Sequence, residues 1–409
     1  MGTPIRWKAT TASALCMSVG MSAIFMGSFP VFLQPVSAEL GWGRATFPQI
    51  ITVSSITAAV SMPFCGRLID RIGVHWPVAA GLTLVAFAMM LLSVVERVGF
   101  TFWSAALALG VGAALAGPPA FIGLISSWYE RNRALAIGVV LSVAPACSQA
   151  MIAPLTQQLI VTLGWRASFR ALAALIFAVG VTASLAMLRP RPAVQRPDGL
   201  TAVPGASGRG AVRMPAFWLL AAVSCLSSGT LLGMTVHVVA WLTGRGVAAQ
   251  TAALVLSSVF LGGMAGAFVA GYVADRTRTI IALQFFYALP IAGLGLMSAS
   301  TALPLLISGA ALIGLGTGAT TGLSPYLVTR FFGLRSSAEI FGMIMAMTMV
   351  ALGVVPVLIG VGYDKSGSYA IPLAVAAGAL GLATILLGLA DRASRPAPAT
   401  GSTSESIAG

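Results

Sequence analysis

Charge is the scarcest property of this sequence. Asp, Glu, Lys and Arg make up 8% of its 409 residues, against about 25% in an ordinary soluble domain. A soluble fold is therefore not expected. Acidic residues are the rarest, 10 against 23 Lys and Arg, which gives a net charge of +13. The basic residues stand singly or in pairs between apolar stretches, so they form no clustered footprint for nucleic acid. Anionic lipid headgroups are the expected counter-charge. The four cysteines, Cys16, Cys65, Cys147 and Cys225, lie inside apolar stretches without C-x-x-C or Cys/His spacing, so they are read as packing residues and no metal is expected. The segment Gly360-Val361-Gly362-Tyr363-Asp364-Lys365-Ser366 approaches a phosphate loop, but Asp364 stands where a Gly must precede the Lys. No Ser/His/Asp or Cys/His set suggests a hydrolase. An enzyme, an ATP-driven pump and a cofactor are thus not expected.

What the chain has in abundance is apolar length. Hydrophobic residues make up 58%, and 46 glycines suit close helix crossings in lipid. About 20 apolar residues cross a bilayer as a helix. Twelve such stretches are expected near 9–33, 46–66, 76–95, 101–127, 134–160, 167–188, 215–241, 248–272, 279–299, 303–329, 338–362 and 369–390. The first follows a short basic patch, Arg6 and Lys8, and is too long for a signal sequence. A Pro/Gly/Arg-rich segment separates two groups of six. The expected units are a bundle at 1–188, a cytoplasmic linker at 189–214, a second bundle at 215–392 and a disordered tail at 393–409. With both termini cytoplasmic, external segments hold six of the 23 basic residues, Arg44, Arg97, Arg166, Arg170, Arg245 and Lys365, and cytoplasmic ones the other seventeen, as the positive-inside rule requires. A multi-pass location in a bacterial-type inner membrane is expected. The halves also echo each other: Gly66, Asp70 and Arg71 return 205 residues later as Gly271, Asp275 and Arg276, Gly41 as Gly246, Gly138 as Gly342 and Gly164 as Gly367. An internal repeat of this kind marks many transporters.

The segment Gly66-Arg67-Leu68-Ile69-Asp70-Arg71-Ile72-Gly73, placed between the second and third spans, resembles the signature loop of the major facilitator superfamily. That resemblance implies an all-α membrane fold of twelve helices in two pseudo-symmetric bundles, with Arg67, Asp70 and Arg71 as a conformational latch mirrored by Asp275 and Arg276. The mirrored copy departs from the pattern, with Thr277-Arg278 and no Gly to match Gly73. Within the superfamily the chain is most similar to the bacterial branch related to monocarboxylate and oxalate/formate carriers. The likeness rests on Glu39-Leu40-Gly41-Trp42-Gly43-Arg44-Ala45, Trp128-Tyr129-Glu130-Arg131-Asn132-Arg133, Gly164-Trp165-Arg166 and Tyr363-Asp364-Lys365-Ser366-Gly367-Ser368-Tyr369.

Departures from that branch bear on the substrate. The family's anion-pairing Arg in the eighth span falls at Ala267, and its aromatic residue before the Pro pair of the fourth falls at Gly117. No charged residue is expected at mid-membrane, so an anion would be held by hydroxyls and backbone dipoles, or else the substrate is neutral. Met21, Phe25 and Phe29 recur every four residues in the first span, a spacing that usually serves helix packing. Phe121 joins Phe25, Phe29, Gly117 and Ala267 among the cavity candidates. Polar candidates near mid-depth are Gln149, Ser227, Ser228, Thr230, Thr317, Thr320 and Thr321, with His237 toward the external end of the seventh span. The fifth span has Ala144-Pro145 without the G-P-x-x-G-G run of drug/proton exchangers. The expected function is a monomeric secondary transporter of a small organic metabolite, with uptake of an organic acid favoured. A neutral or aromatic solute such as a vitamin-like heterocycle, and efflux, are the alternatives.

Overall fold

Inside a bilayer each backbone N–H and C=O must find its partner within the protein, so apolar stretches of this length are driven to helix. A computed structural model describes residues 3–128, 133–187, 208–277, 279–333 and 336–394. Twelve passes run through them. In chain order they are α1 (3–40), α2 (Gln49–Ile72), α3 (His75–Ser93), α4 (Phe100–Leu115, resumed as Pro118–Trp128), α5 (133–163), α6 (165–187), α7 (Pro215–Gly244), α8 (Ala249–Arg276), α9 (Ile280–Ala299), α10 (Leu303–Phe332), α11 (Ser337–Ser366) and α12 (Ala370–Ser394). An even number of passes puts the two ends of the chain on one face, here the terminal face. The opposite side is the distal face.

Two passes are joined without a loop. Helical hydrogen bonding continues from Ala144 to Leu175, but Gly164 interrupts it at φ 79° and ψ 162°. An unbroken helix over 136–186 would be about 75 Å long, far beyond the hydrocarbon core. Gly164 therefore turns the chain at the distal face, in a conformation that a side chain would strain. Its repeat partner Gly367 has φ 67°, and the pair Gly41 and Gly246 have φ 64° and 84°. Two of the glycine echoes, Gly41/Gly246 and Gly164/Gly367, are thus echoes of backbone turns, whereas Gly66/Gly271 and Gly138/Gly342 lie within helices.

Most helices run several residues past the expected spans. The correction matters at the signature segment, which is not a loop: Gly66 to Ile72 form the last turns of α2, and only Gly73 and Val74 connect it to α3. Asp275 and Arg276 likewise end α8. The linker expected over 189–214 lies outside the described residues up to 207, and Gly208–Val212 then form a short helix before α7. The tail beyond 394 and residues 129–132 also lie outside them.

The bundles differ in texture. In the second, α8 crosses α10 backbone to backbone: a Cβ on Gly318 would overlap the Gly263 carbonyl oxygen, and one on Gly266 would overlap that of Leu315. The first bundle carries three π-helical turns, Met21–Phe25 in α1, Val139–Val143 in α5 and Ile176–Val181 in α6. One apolar core runs through the first bundle and on into the distal half of the second. The terminal half of the second bundle has a core of its own. The bundles are therefore joined toward the distal face and part toward the terminal one.

Candidate functional site

Three helix pairs make the joint between the bundles. In α2–α11, Thr52 Oγ1 donates to the Gly353 carbonyl at 2.7 Å, and the Asp364 carboxylate accepts from the backbone N–H groups of Arg44 (2.8 Å) and Ala45 (3.0 Å). In α5–α8, Ser257 Oγ donates to the Ala150 carbonyl at 2.5 Å, and Cys147 Sγ lies 4.0 Å from Met264 Sδ. In α1–α7, Thr243 Oγ1 donates to Gln34 Oε1 at 2.5 Å. Each of these contacts sits at or beyond mid-depth toward the distal face. The chain stands in a distal-closed state.

The candidates divide by exposure in this state. Phe25, Phe29 and Phe121 are fully buried, with Phe29 stacked on Phe47 at 4.6 Å and 7°. They act as packing here rather than as an open lining. Gly117 is buried in the break of α4. Thr230, Ser227 and Thr320 are buried too. Gln149 is half-buried, but its Nε2 donates to the Ser22 carbonyl at 2.6 Å, which ties α5 to α1 within one bundle, as polar side chains between membrane helices do. Ser228, Thr317 and Ala267 are half-buried and Thr321 is exposed. Ala267 lies on the α8–α10 crossing, where a Cβ on Gly322 would sit 3.9 Å from its own. The structure thus brings Ala267 beside the turn of α10 that carries Thr317 and Thr321. Their hydroxyls donate to the carbonyls of Ile313 (2.8 Å) and Thr317 (3.0 Å), which leaves each oxygen free to accept one more hydrogen bond.

His237 is 1% exposed. Its Nε2 lies 2.8 Å from the Pro356 carbonyl and its Nδ1 3.1 Å from the Tyr369 hydroxyl. A carbonyl can only accept, so a neutral ring carries its proton on Nε2, and Tyr369 donates to Nδ1. Burial pushes the Tyr369 phenol up, which keeps that donor protonated. Both ring nitrogens are engaged, and His237 serves as a pin between α7, α11 and the start of α12.

Of the latch set, Arg67 lies over the ring of Phe64 at 5.5 Å and Arg276 over that of Tyr272 at 4.4 Å, each on its own helix. Arg71 and Asp275 are exposed at the terminal face. The side chain of Asp70 lies outside the described residues.

Two polar clusters were not singled out as sites from the sequence. Glu39 receives Trp165 Nε1 at 2.5 Å and pairs with Arg166, which binds the distal ends of α1 and α6. Arg330 and Asp391 pair at 3.0 Å between α10 and α12, with the Asp391 side chain only 5% exposed. Both involve charges at helix ends, and the Glu39 and Arg166 segments had marked the family likeness. No group of three or more His, Cys, Asp or Glu that could hold a metal occurs among the described residues.

Residues 14–356 match the Major Facilitator Superfamily. Among curated proteins, the chain is 26% identical to Monocarboxylate transporter 11 of Mus musculus over 331 residues, 78% of this chain and 73% of the relative. It is 26% identical to Monocarboxylate transporter 13 of Bos taurus, over 83% of this chain and 74% of that one. A shorter likeness, 31% over 189 residues, 44% of this chain and 38% of the other, is to the riboflavin transporter RibJ of Trypanosoma cruzi. Among solved structures, a bacterial homolog of the human lysosomal transporter Spinster, inward-facing and unoccupied, superposes with a TM-score of 0.71. It is 17% identical, covering 98% of this chain and 100% of the other, a likeness of fold alone.

Proposed function

The chain belongs to the Major Facilitator Superfamily and is a multi-pass membrane transporter, and from that premise we propose that it takes up a small organic acid of the monocarboxylate kind by alternating access. The supporting observation is the likeness to monocarboxylate transporters over about four-fifths of the chain. In this reading a monomer rocks one bundle against the other around a central site. Both termini are cytoplasmic, and the basic bias of the loops supports that orientation in a cell inner membrane. The face now open is then the cytoplasmic one. Arg67, Asp70 and Arg71, with Asp275 and Arg276 as the second copy, latch the opposite state at that face.

The site supplies acceptors and dipoles where a carboxylate carrier would place a cation. Thr317, Thr321, Ser228 and Ala267 are its accessible members in this state. Ala267 and Gly117 stand where the carboxylate-carrier branch has an Arg and an aromatic residue, and the missing cation favours a second reading, a neutral or aromatic solute. The riboflavin transporter among the relatives supports it.

Purified protein in liposomes, offered matched acids and their amides with and without a pH gradient and a membrane potential, tests both. Preference for each acid over its amide by more than about tenfold, roughly 1.4 kcal/mol, is expected for the acid carrier. Equal uptake of acid and amide would sink it and leave the neutral-solute reading.

A further inference from the structure

Both carboxylate oxygens of Asp364, at the distal end of α11, are engaged by the other bundle. Oδ1 accepts the Arg44 N–H at 2.8 Å and Oδ2 the Ala45 N–H at 3.0 Å. These amides open a run of tight turns, Thr46 N–H to Gly43 C=O and Gln49 N–H to Thr46 C=O, that leads into α2. The first N–H groups of such a run have no partner within it. A helix ordinarily caps itself with a side chain of its own N-cap residue; here the capping carboxylate comes from 320 residues away, in the opposite bundle.

The approach is close along the whole seam. A Cβ on Gly43 would stand 2.5 Å from Asp364 Oδ2, and one on Gly360 2.6 Å from the Arg44 carbonyl oxygen and Ala45 Cα. Three turns deeper Thr52 reaches the Gly353 carbonyl. Arg44 also lies over the ring of Tyr363 at 5.7 Å.

The pseudo-symmetric seam has no such cap. The repeat offsets place Val161 at the position of Asp364, and Ala248, Ala249 and Gln250 at those of Gly43, Arg44 and Ala45. Val161 is 71% exposed. The α8 start has no side-chain cap at Ala248. The polar contact there, Gln250 Nε2 to the Pro154 carbonyl, is 3.5 Å long, at the limit of a hydrogen bond.

We propose that Asp364 is the clasp that holds the distal face shut, so that opening frees the α2–α11 seam while the α5–α8 seam serves as the hinge. Parting the bundles at that face must break two charge-assisted hydrogen bonds at the distal end of the α2–α11 seam, whereas the matching end of the α5–α8 seam has only the long Gln250 contact, with the shorter Ser257–Ala150 bond deeper, nearer the hinge. Charge-assisted bonds are about twice as strong as neutral ones. The proposal rests on the alternating-access reading.

The test reads distances in the whole chain, reconstituted in lipid nanodiscs without substrate. With the four cysteines replaced by Ser, spin labels at Val98 and Leu303 report the distal face, and labels at Trp76 and Ile281 the terminal face. Asp364→Asn keeps the size of the side chain but turns an N–H donor toward one of the two amides. Gly43→Ala leaves the carboxylate charged and displaces it, which guards against a fault peculiar to Asn. For both, the long-distance population at the distal pair is expected to rise about tenfold, the equivalent of about 1.4 kcal/mol. Gln250→Ala is expected to change it by less than about twofold, since so long a contact contributes little. Unchanged distal distances in Asp364→Asn and Gly43→Ala would overturn the clasp, as would an equal shift in Gln250→Ala. If the distal pair lengthens while the terminal pair stays put, the clasp stands and alternating access falls.

Discussion

At Ala267 the chain presents a methyl group to the α8–α10 crossing, beside two threonine hydroxyls that can still accept. In the proposed site, the charge of the ligand turns on what stands there. Ala267→Arg would put a cation at mid-membrane, at a cost of about 2.5–3.5 kcal/mol on insertion scales unless water or a ligand meets it. Uptake of the native substrate is expected to fall and selectivity to move toward small anions, read by competition between acids and amides in wild type and variant. For Asp70, proposed as part of the latch, the prediction differs, because a latch acts on the balance of states and not on the ligand. Asp70→Asn is expected to slow transport severalfold or more while equilibrium affinity stays within about threefold, as measured by initial rates beside direct binding. Loss of affinity together with an unshifted conformational balance would place Asp70 at the ligand instead.

Among elements, the α8–α10 crossing carries the tightest packing in the second bundle. Gly318 touches the Gly263 carbonyl and the Ala267 backbone, so a side chain there must force the helices apart. Gly318→Val is expected to destabilise the folded protein by about 1–3 kcal/mol or more, seen as a lower melting temperature in detergent and loss of a monodisperse peak. Gly342→Ala, with nothing within 4 Å of the added carbon, should leave both unchanged. The same contrast explains what the sequence could disclose. Hydropathy marks helices because the bilayer enforces length, and the echo of Gly41 in Gly246 and of Gly164 in Gly367 was readable because each turn needs a positive φ. The Asp364 cap was hidden, since its partners are backbone amides of Arg44 and Ala45 and carry no side-chain signature. The packing role of Phe25 and Phe29 was the ordinary reading of four-residue spacing, which names a face of a helix but not that Phe47 covers it. Gln149 was picked out for its polarity, yet which bundle its amide would join depended on the fold.

For the whole molecule, orientation is the first thing to fix. Single cysteines at Arg209 and Arg213, added to a cysteine-free chain, are expected to react with an impermeant maleimide only from the cytoplasmic side. Labelling from outside intact cells would reverse the proposed topology. The texture of the bundles has a mechanical consequence as well. Each π-helical turn departs from the regular i to i+4 ladder, and the described residues place such turns in α1, α5 and α6, all in the first bundle. The second is braced where glycines let α8 and α10 touch. In the alternating-access reading the two halves are expected to differ in compliance, the second swinging as a stiff lever while the first yields at three built-in joints. Backbone amides near residues 21–25, 139–143 and 176–181 are expected to exchange with deuterium faster than those at matched depth in α7, α11 and α12. The contrast should persist when the distal seam is locked by a cross-link. Equal exchange in the two bundles would mean that both deform alike, and the lever picture would have to be given up.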